Sequence, residues 1–271
     1  MAIITVSRGT FSGGRSLAES VAERLGYRCL PRVALYETAN RYGVSEEKLS
    51  KAISEAPHLL EHLSSDRARY LACARAALLN EVKGDNVVYH GLAGHFLLKG
   101  VSHVLRVRVI ANMEFRIKAA MDRSHLTRED AIQVLRTMDD KRARWTRFLY
   151  HVDWGDPSSY DLVINLDQIS LDSACEIVCS TVSLDEFKTT PEWRITVDDL
   201  VLSTEVRAAI AANAASKNIA DAGIEIEADK GVVTIGGTVA SLGDADKIRE
   251  IVRTIPGVNE IDSKMRVHAP W

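Results

Sequence analysis

The sequence predicts an α/β fold, in which a mostly parallel sheet of five strands has helices on both faces, followed by a small α+β domain. Three observations support this prediction. Five short apolar segments rich in β-branched residues alternate with helical segments across residues 1–184. A glycine-rich segment joins the first strand to the first helix. Beyond residue 195 the pattern changes to strands with strict apolar and polar alternation.

The glycine-rich segment lies where many proteins bind phosphate. Residues 2–7 are a short apolar strand, and residues 17–25 place apolar side chains at helical spacing. Residues 9–16 match the pattern G-x-x-x-x-G-K-[ST] at both glycines and at the serine, with Arg15 at the lysine position. In such a loop, backbone N–H groups and the positive end of the helix hold phosphate oxygens. The alternative is a glycine-rich turn without a ligand.

We expect the whole loop to contact nucleotide phosphates. The residues predicted to bind are Gly9, Thr10, Phe11, Ser12, Gly13, Gly14, Arg15 and Ser16. Arg15 keeps the charge of a lysine but is longer and planar, so binding should tolerate the exchange better than catalytic geometry. Ser16 occupies the position whose hydroxyl meets Mg²⁺ in this pattern, which makes it the predicted metal ligand.

The other four strands of the large domain are predicted from short apolar runs at 27–30, 86–91, 103–111 and 160–166. The helices between them are predicted to start at Pro31 and Ser45, to span 57–83 and 93–98, to be capped by Asn112 and Thr127, and to close the domain at 171–183. Helical segments thus connect each strand to the next, as a parallel sheet requires.

Arginines and one histidine are the candidate substrate contacts. His90 ends a strand at the carboxyl edge of the sheet, where ligands bind in open α/β folds. Arg116 lies in the first turns of the helix that Asn112 caps. Residues 139–148 contain Arg142, Arg144 and Arg147 beside aromatic side chains. A solvated charged face is the alternative for this run, and a structural role is the alternative for His90.

The C-terminal part has the pattern of a separate small domain. A polar segment at 185–194 suggests a linker, so the predicted domains are 1–184 and 195–271. Residues 197–199 are predicted to cap a helix, which is followed by a β-hairpin over 223–239, a helix over 241–254 and a strand over 258–268. The glycine pair at 236–237 indicates either a bulge, which we favour, or a close approach of two backbones.

Composition limits the remaining possibilities. The chain has 271 residues with a formal net charge of −3, which argues against nucleic acid as a partner. Its four cysteines lack zinc-site spacing and are expected to be reduced thiols. No apolar run is long enough to span a bilayer, and the sequence starts on a strand without a charged leader. We therefore expect a cytoplasmic protein without stable membrane insertion.

Several motifs together resemble the cytidylate kinase-like family of P-loop proteins. They are the strand and loop at 4–15, Tyr42-Gly43-Val44-Ser45, the strand and turn at 106–113, Asp140-Lys141-Arg142-Ala143-Arg144, and Asp153-Trp154-Gly155-Asp156-Pro157 with Tyr160-Asp161-Leu162. The resemblance covers about residues 1–184 and implies a P-loop kinase-like fold. In this family arginine commonly takes the lysine position of the loop, and many members have Gly-Arg where this chain has His90-Gly91.

The resemblance implies an ATP-dependent phosphotransferase that uses ATP and Mg²⁺ and acts on a nucleotide or another small acceptor. Arg15, Arg142 and Arg144 would be catalytic. Arg116, His90 and Arg147 would contact the substrate. The alternative is a nucleotide sensor with weak or no catalysis.

Residues 195–268 resemble a BON domain through the segments 231–239 and 255–258. This resemblance implies a domain that binds a small ligand, a protein partner or a phospholipid. In the sensor alternative, the BON domain would report the nucleotide state to such a partner. The sequence is also compatible with a homo-oligomer.

Overall fold

A computed structural model describes most of the chain, and its contacts divide it into two units. The described residues are 2–42, 64–91, 94–213 and 223–267. The first unit comprises, among these, residues 2–34, 84–91 and 94–189. The second comprises residues 35–42, 64–83, 190–213 and 223–267. The predicted helix start at Ser45 lies outside the described residues. The predicted domain limits stay a prediction.

The first unit contains a parallel sheet of five strands, as predicted. The strands are β1 (Ile3–Arg8), β2 (Arg28–Pro31), β3 (Val87–His90), β4 (Val104–Ile110) and β5 (Leu162–Asn165). Their order is β2-β3-β1-β4-β5, and every neighbouring pair is parallel. Because β1 is the central strand, the loop that follows it lies at the carboxyl edge between β3 and β4.

The helices follow the predicted order. They are α1 (Gly14–Leu25), α2 (Arg32–Ala39), α3 (Ser64–Val82), α4 (Gly94–Leu97), α5 (Met113–Ser124), α6 (Arg128–Tyr150), α7 (Leu171–Val182), α8 (Pro191–Ala212) and α9 (Leu242–Arg253). Asn112 and Thr127 cap α5 and α6 as predicted, because each side chain accepts a hydrogen bond from the backbone amide three residues later. The arginine-rich run at 139–148 lies within α6.

Helices cover both faces of the five-stranded sheet. On one face, Val21 of α1 and Val178 of α7 pack in a buried cluster with Val6 and Val107 of the strands. Thr5 points to the opposite face, since side chains alternate along a strand. There its methyl group would lie 3.5 Å from a Cβ placed on the first residue of α4.

A buried carboxylate fastens the last residues of the first unit. Asp85, in the turn before β3, accepts a hydrogen bond from Thr189 Oγ1 at 2.7 Å. Its other oxygen lies 2.9 Å from Nε2 of His103, which precedes β4. Phe187 also packs against the core of the sheet. The chain is thus held to the first unit up to Thr189.

The second unit contains the predicted hairpin. Its strands are β6 (Glu225–Asp229), β7 (Val232–Gly236), β8 (Thr238–Val239), β9 (Glu260–Ser263) and β10 (Arg266–Val267). β6 and β7 are antiparallel, β9 joins β7 in parallel, and β8 pairs with β10 in a separate ladder. Apolar residues of the sheet pack against α8 and α9 in one core. The helix α3 packs along α8, where Asn80 Nδ2 donates to Glu205 Oε1 at 2.6 Å.

Two local expectations for the second unit were wrong. The helix α8 begins at Pro191, capped by Thr190, and not at 197–199. Proline suits the first helical position, because the missing N–H has no partner there in any case. The glycine pair at 236–237 marks a close backbone approach, since Gly237 has φ 106° and a Cβ there would lie 2.8 Å from the Gly223 oxygen. Within the described ranges, no helix is long and apolar enough to cross a membrane.

Candidate functional site

The loop between β1 and α1 depends on two adjacent glycines. Gly13 has φ 85°, and a Cβ on it would lie 2.7 Å from Leu166 Cδ1. A Cβ on Gly14 would lie 2.7 Å from the Arg8 Cβ. Both distances are shorter than real Cβ contacts, so only glycine fits without a shift. The start of α1 can therefore approach the end of β1 closely.

The start of α1 presents amides suited to an anion. The first helical hydrogen bond runs from the Leu17 amide to the Gly13 oxygen at 3.1 Å. The amides of residues 14–16 thus precede the helical ladder, and such groups bind phosphate in many proteins. Ser12 has a different role, because its buried hydroxyl lies 3.0 Å from the Gly9 oxygen and 3.1 Å from the Val109 oxygen. Its side chain stabilises the loop.

A cleft of about 200 Å³ opens at this loop. It is lined by Arg8, Thr10, Phe11, Ser12, Gly13, Gly14, Arg15, Arg123 and Arg142. Four of these nine residues are arginines and none is acidic. The lining is therefore suited to a ligand with several negative charges.

Arg142 is the arginine of α6 that reaches the loop. Its Nη1 donates to the Thr10 hydroxyl at 2.7 Å and to the Arg8 oxygen at 3.2 Å. Burial lowers the pKa of Arg142 to about 10, and the nearby arginines at 8, 32 and 116 act in the same direction. The guanidinium remains protonated at neutral pH, so the cleft keeps its charge.

Asp139 lies one turn before Arg142 and joins several of these groups. Its Oδ1 accepts hydrogen bonds from the Thr10 hydroxyl at 3.2 Å and from the Thr10 amide at 3.4 Å. Its Oδ2 accepts from Arg116 Nη2 at 2.5 Å, and Arg142 Nη1 lies 3.8 Å from Oδ1. Arg116 also donates from Nε to the Thr10 oxygen at 2.8 Å. One carboxylate thus connects α5, α6 and the loop.

His90 is buried behind the cleft, where it contacts Arg8. Arg8 Nη1 lies 3.5 Å from the His90 Nδ1. Burial, together with the charge of Arg8, lowers the pKa of His90 to about 4. The ring is therefore neutral at pH 7 and can accept a hydrogen bond from Arg8. Burial also lowers the pKa of Arg8, with help from the arginines at 15 and 32.

Three predicted arginines have exposed side chains. Arg15 contributes to the lining, but its side chain is 66% exposed and bonds Glu19 at 2.8 Å. Arg144 pairs with Asp140 at 3.1 Å on the exposed side of α6. Arg147 is exposed in the last turn of the same helix. The structure thus brings only one arginine of the predicted α6 run to the loop.

Trp154 lies next to Arg142, and both its indole N–H and its backbone oxygen are hydrogen-bonded. Its indole N–H donates to the Ser7 hydroxyl at 3.0 Å. Its backbone oxygen accepts hydrogen bonds from Tyr160, at 3.0 Å, and from the buried Arg108. The guanidinium of Arg108 lies 4.1 Å from the centre of the indole ring, and that of Arg142 lies 6.0 Å from it. These contacts explain the Trp and Tyr of the motif at 153–162.

Sequence reasoning assigned no role to three residues of the site. Arg8 and Arg123 line the cleft, and Arg123 Nη2 lies 3.5 Å from the Ser16 hydroxyl. Asp139 organises the neighbouring arginines. The adjacency of Arg8 to Gly9, and the Asp139-x-x-Arg142 spacing on one helix, were usable signals. Nothing in the sequence distinguished Arg123 from other surface arginines.

The fold and the site together define a P-loop kinase-like protein. A parallel sheet leads from its central strand through a glycine-rich loop into a helix, and arginines face that loop. Residues 3–168 match the cytidylate kinase-like family, and the chain belongs to this family. Residues 198–269 match the BON domain, so both resemblances stated from the sequence are confirmed.

Proteins named cytidylate kinase are among the similar sequences. The one from Methanothrix thermoacetophila is 28% identical over 165 residues, which cover 60% of this chain and 87% of the relative. The one from Archaeoglobus fulgidus is 26% identical over 188 residues, which cover 68% and 97%. Among solved structures, an uncharacterized protein from Eubacterium ventriosum has a TM-score of 0.53 at 18% identity, covering 67% of this chain and 98% of that one. This likeness supports the fold alone.

Proposed function

We propose that the chain transfers a phosphoryl group from ATP, with Mg²⁺, to a nucleotide or another small acceptor. The observation that carries the proposal is the cleft in which the amides at the start of α1 lie beside four arginines. A polyphosphate is the ligand that such donors fit. The names of the two similar cytidylate kinases make a nucleoside monophosphate the first acceptor to test.

In this proposal, backbone amides hold the nucleotide and arginines neutralise its charge. The amides of residues 14–16 bind the β-phosphate, and Arg8 and Arg123 contact its neighbours. Arg15 joins them by leaving Glu19, which costs little because solvent screens an exposed ion pair. Arg142 is the proposed catalytic arginine, since it is partly buried, remains charged and lies across the loop.

The remaining candidates contribute less directly. Arg116 does not line the cleft and is proposed to act through Thr10, whose oxygen it holds. His90 acts through Arg8, with which it shares a hydrogen bond. We propose no chemical role for Arg144 or Arg147, because one pairs with a surface carboxylate and the other is exposed.

The arrangement suits phosphoryl transfer for a general reason. This reaction needs positioning of the reactants and neutralisation of charge more than covalent participation of the protein. Mg²⁺ supplies part of that neutralisation when it is bound. Ser16 would offer it a hydroxyl ligand at the start of α1.

The experiment that tests the proposal is ADP release from ATP and Mg²⁺ with a panel of nucleoside monophosphates. We expect turnover with at least one acceptor. Arg142→Ala should lower kcat by about 10³-fold, since an arginine at the transferring phosphoryl contributes that much in related enzymes. Arg144→Ala is the matched control from the same helix, and it should keep most of the activity because its guanidinium faces solvent.

Failure of turnover with every acceptor, while ATP still binds, would contradict the proposed transfer. It would favour the alternative of a nucleotide sensor that acts through the BON domain. Equal losses of kcat in Arg142→Ala and Arg144→Ala would contradict only the catalytic assignment of Arg142, and the proposed transfer would stand.

A further inference from the structure

We infer that Asp139 is a positioning residue, whose carboxylate holds Arg116, Arg142 and the phosphate loop in one arrangement. The inference deepens the proposed function and rests on it for its effect on turnover. Its structural part can be tested without turnover.

The contacts of Asp139 come from three separate parts of the chain. Thr10 of the loop donates its amide and its hydroxyl to Oδ1, at 3.4 and 3.2 Å. Arg116 of α5 donates to Oδ2 at 2.5 Å and also holds the Thr10 oxygen. Arg142 of α6 bonds the Thr10 hydroxyl and lies 3.8 Å from Oδ1. Both carboxylate oxygens are therefore engaged, and every partner is linked to Thr10.

Charge explains why a carboxylate is needed at this point. Arg8, Arg32 and Arg116 each act unfavourably on the charge of Arg142, and the Asp139 carboxylate acts favourably on it. Guanidinium groups this close repel one another, and a bridging carboxylate offsets that repulsion through charge-assisted hydrogen bonds. Without it, Arg116 and Arg142 would move apart to reduce the repulsion.

The position of Asp139 leaves the anion-binding end of the loop open. Its carboxylate meets the loop at Thr10, whereas the free helical amides begin at residue 14. A nucleotide can bind those amides while Asp139 keeps its contacts. Asp139 should therefore affect the geometry of the arginines during transfer more than the binding of ATP itself.

Asp139→Asn is the variant that removes the charge and keeps the shape. We expect kcat to fall by about 10²-fold, because a misplacement of about 1 Å at a catalytic group can cost that much. The dissociation constant of ATP, measured by calorimetry, should stay within about threefold of the wild-type value. Asp140→Asn is the matched control, since it removes the same charge from the next position of α6, where Asp140 is exposed and pairs with the exposed Arg144. Asp139→Glu should restore part of the lost kcat.

Hydrogen–deuterium exchange of the amides of residues 8–16 provides a second measurement that needs no turnover. Asp139→Asn should accelerate exchange there, since a neutral amide has one acceptor oxygen for donors that two charged oxygens now share, and it holds them more weakly. Asp140→Asn should leave exchange unchanged. Wild-type kcat with wild-type exchange in Asp139→Asn would overturn the inference. So would ATP binding that becomes tenfold tighter with kcat kept, because Asp139 would then be an anion that competes with phosphate.

The two claims can fail separately. If the wild-type protein shows no turnover, the proposed function fails, and the exchange of residues 8–16 alone decides whether Asp139 positions the loop. If the wild-type protein turns over and Asp139→Asn equals Asp140→Asn in both measurements, the proposed function stands and the inference fails.

Discussion

Gly14→Ala should destabilise the first unit and weaken ATP binding through one steric contact. An added Cβ would lie 2.7 Å from Arg8 Cβ and 3.2 Å from both Arg8 Cδ and Val109 Cβ. Ordinary contact begins at 3.4 Å, so the start of α1 and the end of β1 must separate by about 0.7 Å. Overpacking of this kind costs about 1–3 kcal/mol of the free energy of unfolding.

The same displacement should reach the nucleotide. The amides of residues 14–16 move with the start of α1, while Arg8 and Arg142 stay with the sheet and α6. Because the donors no longer converge, we expect ATP affinity to fall by at least tenfold, which corresponds to about 1.4 kcal/mol. Urea unfolding measures the first effect, and calorimetry of ATP binding measures the second.

Gly84→Ala is the matched control for this variant. Among the described residues, no atom lies within 4 Å of a Cβ added there, so the folded state should accept it. The change should leave stability unchanged or raise it by up to about 1 kcal/mol, because alanine has less freedom than glycine in the unfolded chain. If Gly14→Ala matched Gly84→Ala in both stability and ATP affinity, the close approach of α1 to β1 could not be the reason for glycine at 14.

Two further predictions concern buried residues of the first unit. Burial lowers the pKa of His95 to about 3, so below pH 6.5 the unfolded chain binds a proton more readily than the folded chain, and the free energy of unfolding should fall as the pH drops from 6.5 towards 4. In urea unfolding, His95→Phe should lose less stability over this pH range than the wild-type protein, and an equal loss would refute this cause. Trp154→Phe removes the hydrogen bond to Ser7 and should cost about 1–2 kcal/mol in urea unfolding. Trp193→Phe, at a half-exposed site, is its control and should change stability by less than about 0.5 kcal/mol.

The sequence was sufficient for the order of elements because their signals are local. Neighbouring residues alone determine such signals, namely the apolar runs of strand length, the caps at Asn112 and Thr127, and the hairpin turn at 229–231. The loop was recognisable for the same reason, since its glycines and its serine stand at fixed spacing. The cap of α8 was missed because acidic residues at 198–199 resemble a helix start, although Pro191 had already provided one.

The orientation of the arginines could not be predicted from the sequence. Arg142 and Arg144 are two positions apart on one helix, so they point about 200° apart around its axis. Which of them meets the loop depends on how α6 packs against a segment more than 130 residues earlier. Asp139 shares this limit, because its partners at Thr10 and Arg116 come from distant parts of the chain.

The fastening of Thr189 to Asp85 has a practical consequence for dividing the chain. A fragment that stops at residue 184 leaves out Phe187, which covers part of the sheet core, and the hydroxyl that satisfies Asp85. The buried carboxylate would then lose one of its hydrogen-bond donors in a place that water reaches poorly. A cut after Thr189 retains both. We therefore expect a fragment that ends at Thr189 to be more stable than one that ends at residue 184.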